Sequence, residues 1–364
     1  MGLETTVIGS FPKPEYLSLP DWFKSGHEGM HAATKAYSKI LAGQSRMDQE
    51  RLEADVMRAT QEVIDVQTAC GVNVVTDGEV RRENYIHYLC RFIDGIDFDN
   101  LAKTTIRNGA CSVELPAVRG KVTWRGPLDV ASEWRKAQEV SSAPVKYTLP
   151  GPLTMIGTLH NEHYNNEEAL ATDLAAIINR HVRALRDAGC RHIQVDEPVF
   201  ARQPKKALDW GIKMLDRCFE GVGEEIEKSV HICCGYPNYL DEENYMKADP
   251  SAYAQLAPAL ERSCVDAVSI EDAHRHNDLS LLAHFKRTKV IFGAVAVARS
   301  RVETQGEIAD RLRSALEHID AERLIVAPDC GLAFLPPAIL KEKLRNMCAA
   351  AQQCGPGCKR ARLA

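Results

Sequence analysis

The sequence predicts an α/β protein built as a single (β/α)8 TIM barrel with insertions in the early βα loops. Eight short segments are almost continuously apolar and end in Gly, Asp or Pro. Such segments are typical of parallel strands that are buried on both faces. Amphipathic segments with helical spacing alternate with them along the 364-residue chain. Eight strand–helix units fit one closed barrel better than two open sheets.

The predicted strands, in chain order, are residues 5–10, 72–79, 145–152, 192–198, 230–235, 267–272, 289–297 and 324–331. The predicted helices with the strongest patterns are residues 46–71, 166–190, 306–319 and 336–352. The first two of these helices have apolar residues at intervals of three and four and a glycine near the end, which indicates a helix C-terminus. In a barrel of parallel strands the carboxyl ends all meet on one face, where active sites lie.

The early connections are too long for ordinary loops. Residues 11–44 contain Pro and Gly and precede the first strong helix, and residues 81–144 include a hairpin pattern at 112–124. Long insertions of this kind usually form lids or binding loops, and the sequence leaves open whether 11–44 closes over a substrate. We find no repeat or linker that divides the chain, so we expect one domain over residues 1–353 and a flexible tail over 354–364.

Composition narrows the class of protein. The net charge of −5 and a pI of about 6.2 provide no broad basic surface, so we expect no nucleic-acid partner. No apolar run approaches the ~20 residues that span a bilayer, and the N-terminus has no signal-peptide pattern. Twelve cysteines scattered through a long chain fit free thiols and a metal site in a reducing compartment. We therefore expect a cytoplasmic protein without a membrane partner.

The segment HICCGYPN, residues 231–238, is the first candidate for a metal site. Alternate residues of a strand face the same side, so His231 and Cys233 point together and Cys234 points away. These two residues could be zinc ligands, but H-x-C alone is a weak motif. The same segment is also consistent with a histidine and cysteines that are buried in the core and bind no metal.

Other strand ends strengthen the metal interpretation. Glu271 closes the strand that ends SIED, and Cys330 closes the strand that ends APDCG. In a barrel these two residues can meet His231 and Cys233 at one rim. An imidazole, a carboxylate and two thiolates suit zinc among the common metals. Four protein ligands match a closed structural site, so catalysis requires one of them, such as Glu271, to yield to a substrate.

A second group of strand ends suits an amino acid substrate. The turn Ile8–Gly9–Ser10 closes the first strand, and its N–H groups and hydroxyl can receive a carboxylate. Glu79 and Asp196 close the second and fourth strands, and two carboxylates on one rim can hold an ammonium group. The turn can also be an ordinary strand–loop connection without a binding role.

The alternative for the two carboxylates is an ion pair with a nearby arginine: Arg81, Arg82 or Arg202. Asp77 and Glu197 flank Glu79 and Asp196 along the chain, so we expect these two flanking residues to be supporting groups.

Seven segments occur in an order that resembles a known family. They are VIGSFP (7–12), DGEVRREN (77–84), LPGPLTM (149–155), IQVDEP (193–198), HICC (231–234), SIED (269–272) and VAPDCGL (326–332). From residue 5 to about 350 the chain resembles the catalytic C-terminal half of cobalamin-independent methionine synthase. The resemblance implies a zinc-dependent methyltransferase that activates homocysteine as a thiolate and methylates it to methionine, as 5-methyltetrahydropteroyltriglutamate–homocysteine S-methyltransferase does. The zinc positions correspond to His231, Cys233, Glu271 and Cys330, and the homocysteine positions to Ile8, Gly9, Ser10, Glu79 and Asp196.

The methyl-donor side of the resemblance is incomplete. The family's proton-donor histidine lies in a segment like I-H-S-P-R-V, and VARSRV (297–302) has Ala298 at that position. An Arg–Cys pair that contacts folate corresponds to residues 110–111, which read AC, and a tryptophan corresponds to Thr158. The catalytic proton donor is therefore unassigned. The donor itself stays open between a methylfolate, a methylated corrinoid carried by another protein, and a sulfonium compound.

Three other readings compete with this one. A related zinc-dependent alkyltransferase can join coenzyme M to an epoxide, but that thiol has no amine for Glu79 and Asp196 to hold. A non-catalytic, zinc-stabilised barrel would account for the missing histidine at Ala298. A decarboxylase-type barrel of the uroporphyrinogen kind shares the architecture but requires no metal, so the ordered set of zinc ligands disfavours it.

Overall fold

A ring of eight parallel strands forms the centre of the molecule. The computed structural model describes residues 2–24, 29–106 and 111–355. Numbered along the chain, the strands of the described residues are β1 (Glu4–Thr5), β2 (Val75–Thr76), β3 (Ile93–Ile106), β4 (Cys111–Trp124), β5 (Val145–Pro150), β6 (His160–Asn161), β7 (His192–Asp196), β8 (Glu227–Ile232), β9 (Ala267–Ile270), β10 (Lys289–Val295) and β11 (Leu324–Pro328). The ring has the order β1-β11-β10-β9-β8-β7-β5-β2.

The ring closes between its first and last strands. A parallel bridge joins Thr6 to Val74, and the backbone N–H groups of Asn73 and Val74 both donate to the carbonyl of Thr5 at 3.1 Å. All eight predicted strands are therefore confirmed as members of one closed barrel, which confirms the predicted fold class. Their ladders are shorter than predicted, because the last residues of most predicted strands lead into the loops at the carboxyl rim.

Helices surround the ring. They are α1 (Gly29–Gly43), α2 (Arg46–Cys70), α3 (His87–Cys90), α4 (Val130–Glu139), α5 (Pro152–Ile156), α6 (Glu167–Ala188), α7 (Val199–Arg202), α8 (Pro204–Lys206), α9 (Ile212–Cys218), α10 (Ala252–Arg262), α11 (Gln305–Ala315) and α12 (Pro337–Gln353). The predicted helix at 46–71 is confirmed as α2. It begins at a capping box between Ser45 and Asp48 and ends at Gly71, whose φ of 92° requires a residue that tolerates the left-handed region.

The predicted hairpin at 112–124 is instead a single strand, β4, which is one arm of a larger hairpin. Its partner strand is β3, which pairs with β4 in antiparallel orientation, and β6 adds to β4 to make a separate three-stranded sheet. The sequence of β3 contains Asp, Asn and Gly residues, which are uncommon in strands, and this hid it from the pattern analysis.

The segment that follows β1 lies over the carboxyl rim of the ring. Its start is fixed by a hydrogen bond from the Phe11 N–H to the Gly78 carbonyl at 2.9 Å. Further on, the ring of Phe23 packs against those of Tyr236 and Phe334, with centroids 5.7 and 5.4 Å apart. These two partners follow β8 and β11, so this part of the predicted lid contacts the loops that carry the candidate metal ligands.

Ten cysteines in the described part of the chain are free thiols; Cys264 and Cys330 are half-buried and the other eight are buried. Cys354, the first residue of the predicted tail, is buried and its thiol donates to the Ala309 carbonyl at 3.6 Å. Residues 356–364 of that tail lie outside the described residues. Among the described helices, none is both long and apolar enough to cross a membrane.

Candidate metal and substrate site

Three of the four predicted metal ligands converge at the carboxyl rim. His231 is the fifth residue of β8, Cys233 follows the end of that strand by one residue, and Cys330 follows β11. The His231 Nε2 lies 3.4 Å from the Cys330 Sγ, and the ligand atoms of all three residues lie within 4.8 Å of one another. His231 and Cys233 are buried, and Cys330 is half-buried. Side chains 99 positions apart in sequence therefore present one nitrogen and two sulfurs to a common point.

The two thiols at this point are chemically unequal. A hydrogen bond from Cys330, helped by His231, holds the pKa of Cys233 well below its usual range despite burial. The same bond raises the pKa of Cys330. Burial works to lower the pKa of His231, but its hydrogen bond with Cys233 raises this pKa overall. The His231 Nδ1 is 2.9 Å from the Ser269 Oγ, so the other ring nitrogen is left facing the sulfurs.

The fourth predicted ligand, Glu271, has other partners in the structure. Its Oε1 forms an ion pair with the Lys247 ammonium, and its Oε2 accepts a hydrogen bond from the Cys234 N–H at 3.1 Å. The carboxylate is buried, and this burial raises its pKa, with smaller contributions from Asp329 and Cys233. Glu271 thus lies beside the converging group, held by a lysine that sequence reasoning did not identify.

A buried carboxylate that the sequence analysis did not assign joins the two loops that carry the candidate metal ligands Glu271 and Cys330. Asp329 accepts hydrogen bonds from the three backbone N–H groups of 272–274 at 2.9, 2.9 and 2.6 Å, and from the His274 Nδ1 at 2.7 Å. It therefore ties the loop that carries Glu271 to the loop that carries Cys330. The available signal was its place between the strand and Cys330 in PDCG, which suggested only a strand end.

The two predicted ammonium-binding carboxylates are both buried at the same rim. Asp196 ends β7 and pairs in register with His231; burial raises its pKa to about 7. Burial also raises the pKa of Glu79, whose Oε1 accepts a hydrogen bond from the Thr148 hydroxyl at 2.6 Å. Glu79 has a φ of 54°, in the left-handed region that non-glycine residues rarely occupy and that is common at functional sites.

The ion-pair alternative applies to one of these carboxylates. Arg82 approaches Glu79 at 3.6 Å, whereas Arg81 pairs with Glu53. In the part of the chain that the structure describes, Asp196 forms no ion pair with an arginine. Asp77 accepts the Glu79 N–H at 2.9 Å, which matches the supporting role expected for Asp77.

The other expected supporting residue, Glu197, lies beneath helix α5. Its carboxylate accepts hydrogen bonds from the N–H groups of Leu153 and Thr154, at 3.0 and 2.9 Å, and from the Thr154 hydroxyl at 2.8 Å. Glu197 thus stabilises the start of α5.

The turn Ile8–Gly9–Ser10 lies next to both groups. A Cβ on Gly9 would lie 2.6 Å from the Glu79 Oε1, so only glycine allows this close approach. On the other side, the Ser10 carbonyl accepts a hydrogen bond from the Leu332 N–H at 2.7 Å, two residues after Cys330. The turn therefore lies between Glu79 and the loop that carries Cys330, while Asp196 lies beside His231.

Ala298 stands at the position where the resemblance expects the proton-donor histidine, and a different histidine contacts it. Ala298 is buried, and its N–H donates to the Nε2 of His274 at 3.2 Å. The other ring nitrogen of His274 donates to Asp329. A histidine from the loop after β9 therefore lies against the position where the resemblance expects a histidine from the loop after β10.

An aromatic wall borders the site, and the sequence analysis did not find it. Tyr236 stacks on Phe334 with ring centroids 5.0 Å apart, and its hydroxyl donates to the Gly331 carbonyl at 2.8 Å. This contact joins the loops after β8 and β11 next to Cys233 and Cys330. A cavity of about 500 Å³ lies elsewhere, between β10 and α11, and none of the predicted site residues lines it.

Comparisons with known proteins find one family over nearly the whole chain. Residues 3–353 match the family model described as the catalytic domain of cobalamin-independent synthase. Over 348 residues the chain is 30% identical to methionine synthase of Saccharolobus solfataricus, which covers 95% of this chain and 92% of that protein. Methionine synthase of Sulfolobus acidocaldarius is 29% identical over 347 residues, 95% of this chain and 90% of that one. A solved B12-independent methionine synthase from Shewanella sp. W3-18-1, in complex with selenomethionine, has a TM-score of 0.81 at 30% identity and covers 96% of this chain and 97% of its own.

Proposed function

Because the chain belongs to the cobalamin-independent methionine synthase family and is a methyltransferase of that type, we propose that it methylates the sulfur of homocysteine at a zinc site. The observation that carries this proposal is the convergence of His231, Cys233 and Cys330 within 4.8 Å at the carboxyl rim. In the reaction a methyl group leaves its donor without the bonding electron pair, the homocysteine sulfur forms the new bond, and the thiol loses its proton.

The chemistry of the donor set fits zinc. One imidazole nitrogen and two sulfurs, in a buried place at the barrel rim, form a set that zinc prefers over magnesium or calcium. Zinc bound there would deprotonate a thiol at neutral pH and leave its sulfur nucleophilic. Three converging protein ligands leave one tetrahedral position for that sulfur, which is the arrangement of catalytic zinc sites.

Glu271 is the proposed exchangeable fourth ligand. Its carboxylate lies beside the three other residues and has alternative partners in Lys247 and the Cys234 N–H. A buried carboxylate that leaves a metal needs such partners, because an unpaired buried charge is costly. Lys247 therefore supports a role in which Glu271 binds the metal in one state and pairs with the ammonium group of Lys247 in the other.

The neighbouring residues suit the amino acid end of homocysteine. Asp196 and Glu79 are buried carboxylates at one rim and can hold the ammonium group. The N–H groups of the turn at 8–10 and the Ser10 hydroxyl can receive the carboxylate. This arrangement disfavours a thiol without an amine, such as coenzyme M, because the buried Asp196, which forms no ion pair within the described residues, would then lack a cation.

The direct test is a donor screen. Purified protein loaded with zinc is incubated with homocysteine and a methylfolate, a methylated corrinoid or a sulfonium compound, and methionine is detected by mass. We expect one donor to yield methionine and a chelator to abolish the yield. Full activity in metal-free protein would contradict the zinc assignment, and a thioether formed only from an amine-free thiol would contradict homocysteine.

Two cysteine variants distinguish the effect of losing a proposed zinc ligand from the effect of changing a core cysteine. Cys330→Ser removes a converging sulfur, whereas Cys348→Ser changes a cysteine that is buried away from the rim, on α12. We expect the first variant to lose bound zinc and activity, and the second to keep both. Zinc content, measured apart from activity, shows whether a loss of turnover follows from loss of the metal.

A further inference from the structure

We propose that Gln194 and Lys146 are positioning residues that orient Asp196 and so set the preference for thiols that carry an ammonium group. The inference rests on the proposed function, because it takes homocysteine as the substrate. Both residues are buried inside the barrel, on neighbouring strands β7 and β5. Neither of them belongs to the set that sequence reasoning assigned to the site.

Gln194 uses both hydrogens of its amide group at the substrate end of the site. Its Nε2 donates to the Asp196 Oδ1 at 2.7 Å and to the Ile8 carbonyl at 2.9 Å. Gln194 precedes Asp196 by two positions on β7, so the two side chains point to the same face. One amide therefore links the proposed ammonium anchor to the turn proposed to hold the substrate carboxylate.

Lys146 determines which way this amide points. Its Nζ donates to the Gln194 Oε1 at 2.6 Å. An ammonium group can only donate, so it selects the amide oxygen and turns the NH2 group towards Asp196. Without the lysine, the amide oxygen loses this donor, and the side chain is held less firmly against Asp196.

The same strand supports the second carboxylate. Thr148 lies two positions after Lys146 on β5 and donates to Glu79 at 2.6 Å. One face of β5 thus positions Glu79 directly through Thr148 and positions Asp196 through Gln194. The buried cation also favours the ionised form of Asp196, against the effect of burial.

A purely structural role would have a different signature. If Gln194 and Lys146 only satisfy each other in the core, their replacement lowers stability and leaves ligand preference unchanged. In the described part of the chain, no hydrogen bond joins either residue to His231, Cys233 or Cys330. A change in preference for the ammonium group is therefore separable from a change at the sulfur.

The test compares two pairs of ligands that differ only in the amine. The zinc-loaded full chain is titrated with homocysteine and 4-sulfanylbutanoate, and the methylated products are compared as methionine against 4-(methylsulfanyl)butanoate. Binding is measured by calorimetry, which needs no methyl donor. The variants are Gln194→Met, Gln194→Glu and Lys146→Met.

A matched control is available in another buried lysine. Lys343 on α12 donates to the Arg301 carbonyl at 2.6 Å and pairs with Glu303 at 2.7 Å, and neither partner is among the residues proposed to hold the substrate. Lys343→Met removes a buried ammonium group and its partners without touching the substrate residues. It reports the effect of losing a buried cation by itself.

We expect Gln194→Met to weaken homocysteine and methionine binding by about 10–100-fold, which is the effect of losing one hydrogen bond to a charged group. Binding of the amine-free ligands should change by less than about twofold, since no ammonium group is involved. Lys146→Met should weaken homocysteine binding about tenfold. Gln194→Glu, which keeps the size and a partner for Lys146 but places a carboxylate against Asp196, should show the same selective loss.

Equal losses for both kinds of ligand, or an unchanged ratio in all folded variants, would overturn the inference. A ratio that changes as much in Lys343→Met would do the same. If the unmodified protein itself does not prefer the ligand that carries the amine, the substrate assignment in the proposed function fails instead. The two failures are therefore distinguishable in a single set of titrations.

Discussion

Asp329→Ala tests whether a buried carboxylate holds together the two loops that carry the proposed metal ligands Glu271 and Cys330. Asp329 is fully buried and accepts four hydrogen bonds, from the backbone N–H groups of 272–274 and the His274 ring. At about 1 kcal/mol for each bond, the substitution should lower the free energy of unfolding by about 4 kcal/mol. The value falls in the range of about 3–5 kcal/mol for breaking a buried charged pair.

The assay is urea unfolding of the metal-free protein, followed by circular dichroism. Asp310→Ala is the control, because Asp310 forms an exposed ion pair with Arg313 and should change stability by less than about 1 kcal/mol. Zinc affinity, measured by competition with a chelator, should fall about 10–100-fold in Asp329→Ala, since Glu271 and Cys330 lose their common support. A variant that unfolds within about 1 kcal/mol of the unmodified protein and binds zinc equally well would refute the reasoning.

Two further predictions concern charges. Lys247→Met removes the cation paired with Glu271, so zinc should bind about tenfold more tightly in a chelator competition; an unchanged affinity would show that the lysine and the metal do not compete. Burial works to raise the pKa of Glu227, but hydrogen bonds from His192 and Lys289 outweigh this effect, so the pKa is lowered to about 2. The stability that it contributes is complete above its ordinary pKa of 4.5 and is lost as the pH falls towards 2, so Glu227→Gln should lose about 2 kcal/mol at neutral pH and almost none near pH 2 in urea unfolding.

The barrel was predictable because its strands obey a single physical rule. Strands buried on both faces must be apolar throughout, and the segments at 145–152 and 289–297 show this directly. The hairpin strand β3 was not predicted, because it lies outside the ring and is only partly buried along the part of it that is described, so polar residues and glycine are tolerated there. The strands of the ring were predictable because of their burial, more than because of their intrinsic strand propensity.

The candidate site was predictable to the extent that position along a strand decides the position of a side chain. His231 and Cys233 share a face because they are two residues apart, and Cys330 joins them because parallel strands end together. The partner that each side chain selects depends on the loops, whose course has no periodic signal. Nothing in the sequence indicates that Lys247, 14 residues after Cys233 by number, returns to pair with Glu271.

This difference has a functional consequence. A site closed by four fixed ligands would leave no position for a substrate sulfur, whereas three converging ligands and a carboxylate with a second partner would leave one. The same logic applies at the amino acid end, where Lys146 decides the orientation of Gln194 and Gln194 that of Asp196. In both places the proposed role of a lysine, the half-buried Lys247 or the buried Lys146, is to determine how a carboxylate near the substrate is used. The strand ends supply the proposed reactive atoms. Of the two lysines, Lys146 would orient Asp196 through Gln194, and Lys247 would allow Glu271 to leave the metal.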